Sequence, residues 1–176
     1  TPILSILMSG DQDSKGSIDY RSSVDRCSIQ QTLDLVGDRW LLLILRDIFR
    51  GVRRFSQLQE NLGIAKNLLT SRLNKLVDVD ILEKIPYQAA PVRYEYTLTE
   101  KGRDLSPSLV ALMKWGDRWC SDEAPPTVLI HSECGTPLEQ TTRCPSCEEN
   151  IYPSEIRSRP GPGQTKFNNP KGVNNQ

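Results

Sequence analysis

Histidine occurs once in this 176-residue chain, methionine twice, and basic and acidic side chains cancel at 22 each. A lone imidazole, His131, with no nucleophile motif around it, leaves hydrolytic chemistry without its usual parts, so no enzyme is predicted. The zero net charge means that no whole-chain field draws nucleic acid, and any electrostatic case must be local. Long apolar runs are also missing. Ile3 to Met8 and Trp40 to Leu45 are the longest, and both fall far short of the about 20 residues that span a bilayer. No basic stretch precedes the first run, so it does not read as a secretory leader. The five cysteines are an odd number, three of them close together near the C-terminal end, which fits a reducing compartment better than a disulfide scaffold. The expectation is a cytoplasmic protein with no membrane partner.

What is present is helical periodicity. Residues 1–22 are polar and aperiodic, and a mobile segment is predicted there. From Val24 a helix is predicted, with Ile29, Leu33, Val36 and Trp40 three or four residues apart. Gly37 suits its C-terminal cap and Asp38 the N-cap of the next helix. That helix, Arg39 to Phe49, is apolar nearly all round and belongs in the middle of a core. After Gly51 a short helix begins near Phe55, with Ser56 and Gln59 spaced as a capping box, and Gly63 ends it. A fourth helix, Ala65 to Val79, carries the stripe Ala65, Leu69, Leu73, Leu76. Two strand-like runs follow, Leu82 to Tyr87 and Arg93 to Leu98, with residues 88–91 as the hairpin tip. Thr99 caps a long fifth helix to Cys120 in which Pro107 marks a kink or the first turns. The tail from Arg157 is rich in Gly, Pro and Asn, and disorder is predicted. The domains are therefore 1–22, a mobile segment; 23–122, a winged-helix domain for DNA binding and dimerisation; 127–156, a Cys-containing extension; and 157–176, a disordered tail.

A short helix, a Gly-containing turn and a second helix form a helix-turn-helix, and a hairpin directly after it is a wing. The fold class is mainly α with a β-hairpin wing, plus a small C-terminal zinc-ribbon-like segment. Opposite Leu69 and Leu73 on the second helix lie Asn67, Thr70, Ser71 and Asn74, flanked by Lys66, Arg72 and Lys75. Asn pairs with adenine edges, and Ser or Thr with bases or phosphates. Arg93 on the wing suits phosphate contact. Residues 50–103 hold ten basic and six acidic side chains, a local +4, as backbone contact requires. Such a face is also compatible with a solvated surface, and a winged helix also serves protein–protein contacts. Two function classes therefore stand: a sequence-specific DNA-binding regulator acting as a homodimer, and a redox- or zinc-responsive interaction module that does not touch DNA. Leu105, Leu109, Leu112 and Trp119 form a seam for dimerisation with the first helix, and Trp115 and Trp119 read as core or dimer anchors.

Cys27-Ser28-Ile29, the run Leu33 to Trp40, and Leu43 to Asp47 closely resemble HxlR-type regulators. So do Arg54 to Leu58, Leu69 to Leu73, and Tyr94 to Gly102, in that order. The resemblance covers about Asp25 to Trp119 and implies a winged-helix regulator that dimerises on operator DNA and answers to a small-molecule or electrophile inducer. It also implies that Cys27, at the start of the first helix, serves as a redox sensor in some members; a small side chain packed at a dimer interface is the favoured alternative. The C-terminal stretch resembles an extension found in part of the family. There His131, Cys134, Cys144 and Cys147 form two pairs, each spaced by two residues, and supply the four donors a structural zinc takes. Free thiols in a loose tail are the alternative. The second pair is followed by Glu148 where a knuckle often has Gly.

Overall fold

A computed structural model describes residues 27–120, 123–159 and 161–162. The predicted mobile segment 1–22, the expected helix start at Val24 and most of the tail lie outside the described residues. Helix α1 spans Ser28–Val36 and α2 spans Arg39–Phe49; α3 is Phe55–Leu62 and α4 is Lys66–Asp78. Strands β1 (Leu82–Ala89) and β2 (Val92–Leu98) follow, then α5 (Glu100–Arg103) and α6 (Ser106–Trp119). No helix among the described residues is long and apolar enough to cross a membrane.

The core is built on α2. From Trp40 to Phe49 none of its residues is exposed, as its apolar circumference predicts. Leu41, Ile44 and Leu45 meet Leu58 of α3, Leu69, Leu73 and Leu76 of α4, and Ile81 and Leu82 at the start of the wing, all fully buried. Truncating one such leucine costs about 2–5 kcal/mol. Asp47 is the one buried charged residue among those described; Arg46 holds its Oδ1 at 2.8 Å.

The ends of the helices follow local chemistry. Asp38 Oδ1 accepts the Trp40 N–H at 2.8 Å and caps α2. Gly63 ends α3 at φ +58°, a left-handed turn that glycine enters without a Cβ penalty. Gly102 packs its α-carbon so near the Ile81 carbonyl that a methyl group would collide with it. This close approach seats α5 on the turn between α4 and the wing. Thr99 Oγ1 caps α5 by accepting the Gly102 N–H at 3.1 Å.

The hairpin pairs Leu82 with Leu98 through to Ala89 with Val92, antiparallel, with a bulge between Pro86 and Gln88. It is longer than predicted, so the tip is only Ala90-Pro91. Two expectations are corrected. Ser56 and Gln59 form no capping box, because α3 already starts at Phe55 and Arg54 holds the N-cap position without a side-chain bond. The long fifth helix is two helices. Pro107 lies in the first turn of α6, where its missing N–H costs nothing.

Beyond α6, residues 129–151 contain a repeat that sequence reading missed. Leu138 N–H donates to Leu129 O, His131 N–H to Thr136 O, and Gly135 N–H to His131 O. Thirteen residues on, Ile151 N–H donates to Thr142 O, Cys144 N–H to Glu149 O, and Glu148 N–H to Cys144 O, all six bonds at 2.7–2.9 Å. Bridges Ile130–Pro137 and Arg143–Asn150 close the two loops alike. Glu148 (φ +63°) takes the left-handed conformation that Gly135 (φ +71°) takes in the first loop. Arg143 secures it, with Nε donating to the Glu148 carbonyl at 2.7 Å and the side chains paired at 3.1 Å.

Candidate nucleic-acid interface

Burial of Leu69, Leu73 and Leu76 fixes the rotation of α4, and the opposite face follows from helical geometry. Lys66, Asn67, Thr70, Ser71 and Asn74 are all exposed. Asn67 Oδ1 accepts the Leu68 N–H at 2.9 Å, an orphan donor of the first turn. Thr70 donates its hydroxyl to the Lys66 carbonyl at 2.8 Å and keeps its lone pairs outward-capable.

Two flanking cations are engaged behind this face. Arg72 Nη2 pairs with Asp38 Oδ2 at 2.9 Å, and Lys75 Nζ donates to the Asp34 carbonyl of α1 at 3.2 Å. In this arrangement they tie α4 to α1 and α2, apart from the exposed polar face. Burial pushes Asp38 up, but the Arg72 hydrogen bond and the Trp40 N–H outweigh it and hold its carboxyl below the ordinary value.

Between α4 and the wing runs a groove of about 570 Å³ that includes Arg54, Lys66, Lys84 and Arg93, with Tyr87 and Tyr94. The wing is pinned beside α3: Tyr96 N–H donates to Arg53 O at 2.9 Å, and Arg54 Nε pairs with Glu95 at 2.9 Å. Arg54 also lies over the Tyr87 ring (4.6 Å to the centroid) and Lys84 over Tyr94 (4.1 Å). Of the cations lining this groove, the sequence reading named Lys66 and Arg93 and did not name Arg54 or Lys84. The alternating tyrosines of the wing, facing basic neighbours, were the available signal.

An exposed polar helix face beside a cation-lined groove, on a helix-turn-helix with a hairpin wing, is chemistry for duplex contact rather than catalysis. Residues 35–124 match the HxlR-like helix-turn-helix family. The chain belongs to this family of transcriptional regulators, and it is not an enzyme. The HxlR-type chain is 47% identical over 137 residues to the HTH-type transcriptional regulator Rv3095 of Mycobacterium tuberculosis, covering 77% of this chain and 87% of that protein. To the HTH-type regulator sll1512 of Synechocystis it is 38% identical over 108 residues, covering 61% and 80%. Among solved structures, PA1607 superposes with a TM-score of 0.69 at 34% identity, covering 76% of this chain and 94% of that one. The redox regulator HypR in its oxidized form matches at a TM-score of 0.50 and 28% identity, over 56% and 100%.

Away from the polar face, the HxlR-type domain leaves apolar surface uncovered. Ile29 (69% exposed) and Leu33 (57%) on α1 face a groove shared with Leu112 (55%) and Trp115 (61%) of α6. Trp119 is 64% exposed, so in the single chain neither tryptophan is a core residue. Leu105 and Leu109 are half-buried against the core.

Cys27 occupies the N-cap position of α1 and is exposed. In the C-terminal loops His131 Nδ1 is 3.2 Å from Cys134 Sγ. Hydrogen bonding with the Thr136 hydroxyl, the Thr136 backbone and His131 brings the Cys134 thiol down to about 7. The backbone N–H groups of Cys147 and Ser146, with the Cys147 side chain, also lower the Cys144 thiol. The donors are thus paired loop by loop. Among the described residues no group of three or more stands together as a metal cluster.

Proposed function

We propose that this regulator binds operator DNA as a homodimer, with α4 in the major groove and the wing along the backbone. The observation that carries the reading is the face of Lys66, Asn67, Thr70, Ser71 and Asn74, exposed beside a groove lined by four cations. Asn67, Thr70, Ser71 and Asn74 contact base edges or nearby phosphates; Lys66, Arg54, Lys84 and Arg93 neutralise the backbone. Arg72 and Lys75 act from behind, by fixing the angle at which α4 enters. The exposed apolar faces of α1 and α6 favour dimerisation there, which keeps both α4 helices free and sets them about 34 Å apart on successive major grooves. Such a protein works where the chromosome is, which places it in the cytoplasm.

Fluorescence anisotropy with duplexes tiled across the regulator's own promoter, at several salt concentrations, tests this. Affinity should fall steeply with salt, and one region should bind in preference. Equal binding to every duplex at all salts overturns the reading. A second reading concerns Cys27: its exposure at a helix start and the likeness to a redox regulator favour a thiol that reports oxidants or electrophiles. Unchanged operator release on oxidant treatment of a Cys27→Ser variant would remove it.

A further inference from the structure

We propose that the two loops at 129–138 and 142–151 are paired knuckles that together bind one zinc ion through His131, Cys134, Cys144 and Cys147. The argument rests on their shared backbone. Each loop places its two donors at the first and fourth positions of a tight turn. Each closes that turn with an N–H donated by the residue after the second donor to the carbonyl of the first, and each puts that residue in the left-handed region. A non-glycine residue pays about 1–2 kcal/mol to sit there. Glu148 does so with Arg143 holding both its carbonyl and its carboxylate, so the second loop keeps the geometry of the first without its glycine. Two loops of unlike sequence that share one hydrogen-bond pattern have little in common but the paired donors at matching positions.

The donor set selects the ion. Three thiolates and one imidazole are soft-to-borderline ligands suited to tetrahedral zinc, with all four corners filled by protein, so the site is structural. Two such ligands of one zinc ion stand about 3.6 Å apart, from bond lengths near 2.1 and 2.3 Å. His131 Nδ1 and Cys134 Sγ, at 3.2 Å, need to open by only a few tenths of an ångström. Binding draws the Cys144–Cys147 loop against this pair across a connection of only residues 139–141, and each thiol releases its proton to solvent. The consequence reaches the regulator's body. Just before the first knuckle, Thr127 Oγ1 accepts from Arg50 at 2.9 Å, and Leu129 lines a cleft together with Phe49 of α2 and Leu109 and Met113 of α6. A metal-locked knuckle holds that strap in place.

Elemental analysis of the full chain, purified under reducing conditions without added metal, should find one zinc per chain. Cobalt(II) exchanged into it should give the intense visible bands of a tetrahedral thiolate site. Cys134→Ser, Cys144→Ser and Cys147→Ser should each weaken binding by more than the about 10–100-fold typical of changes outside the ligand set. Cys27→Ser with Cys120→Ser should leave it intact, and His131→Cys should retain metal where His131→Ala weakens it. Far-UV circular dichroism guards against misfolding, since α1–α6 have their own core. Limited proteolysis of chelator-treated protein should cut within 127–152 and spare the winged helix. Zinc well below one per chain with all five thiols reactive, a Cys144–Cys147 disulfide in the isolated protein, or zinc held equally by the three Ser variants would each overturn the proposal.

Discussion

Replacing Asp38 with alanine should remove two interactions at one point and cost about 2 kcal/mol. The carboxylate caps α2 through Oδ1 at 2.8 Å from Trp40 N and holds Arg72 of α4 through Oδ2 at 2.9 Å. Loss of an N-cap costs about 1 kcal/mol. Loss of the acceptor strands Arg72, whose Nε is already buried without a partner, and a stranded donor costs about 1–3 kcal/mol. The two side chains are 28% and 32% exposed, so solvent screening puts this second contribution at its lower end. For a domain of about 100 residues the sum is roughly 8–16 °C in Tm. Asp38→Asn separates the parts, because Asn caps as well as Asp and only the charge pair is lost, about 1 kcal/mol.

The acid limb supplies an independent check. Asp38 sits below its ordinary 3.8 in the folded chain. Its contribution is therefore complete above the unfolded value and lost as pH falls through the folded one. Wild type should lose this increment below about pH 4, and Asp38→Ala has none to lose. Urea unfolding at pH 7 and along the acid limb measures both. A cost below about 0.5 kcal/mol for Asp38→Ala, the range of ordinary surface changes, would refute the reasoning. Equal costs for Ala and Asn would show that charge pairing, rather than the cap, dominates.

On the proposed interface, Asn67→Ala or Asn74→Ala should reduce discrimination between operator and mismatched duplexes by about 1–3 kcal/mol where either reads a base; an unchanged profile in the double variant removes both from that role. Arg93→Ala should weaken all duplexes alike and lower the salt slope by about 1, as binding isotherms across salt will report. Leu112→Asp with Trp115→Asp should convert the proposed dimer to a folded monomer, since central interface anchors are worth about 2 kcal/mol or more each; sedimentation showing the same dimer for wild type and this variant would exclude the α1–α6 face.

Elements set by local rules were legible before any coordinates. Asp38 as a cap, Gly63 as a stop, and the Leu69, Leu73, Leu76 stripe depend on residues within a turn or two, and the structure has all three. Ser56 and Gln59 failed because a capping box is only a spacing until the helix start is known. The helix does begin at Phe55, which leaves Ser56 inside it and the N-cap position to Arg54, tied to Glu95 across the wing. The break between α5 and α6 was half legible: Pro107 announced a helix start, but the contact of Gly102 with Ile81 that seats α5 is long-range.

The same distinction orders the site. Helical phase assigned Asn67, Thr70, Ser71 and Asn74 to the outer face of α4, with Lys66, Arg72 and Lys75 at its flanks, because burying three leucines dictates where the other side points. It could not tell that Arg72 pairs with the Asp38 carboxylate and that Lys75 donates to the Asp34 backbone carbonyl, partners 34 and 41 positions earlier in the chain. Nor could it collect Arg54, Lys84 and Arg93 into one groove, since that needs the wing folded back beside α3. Counting cations along the sequence gives the net sign of this segment, but only the fold shows which of them line the groove and which reach back to α1 and α2. In a neutral chain this matters, because phosphate affinity depends on the few charges that face the duplex. Arg72, paired and half-buried, would then be felt through the posture of α4. Its loss should alter affinity and stability together, whereas loss of Arg93 should alter affinity alone.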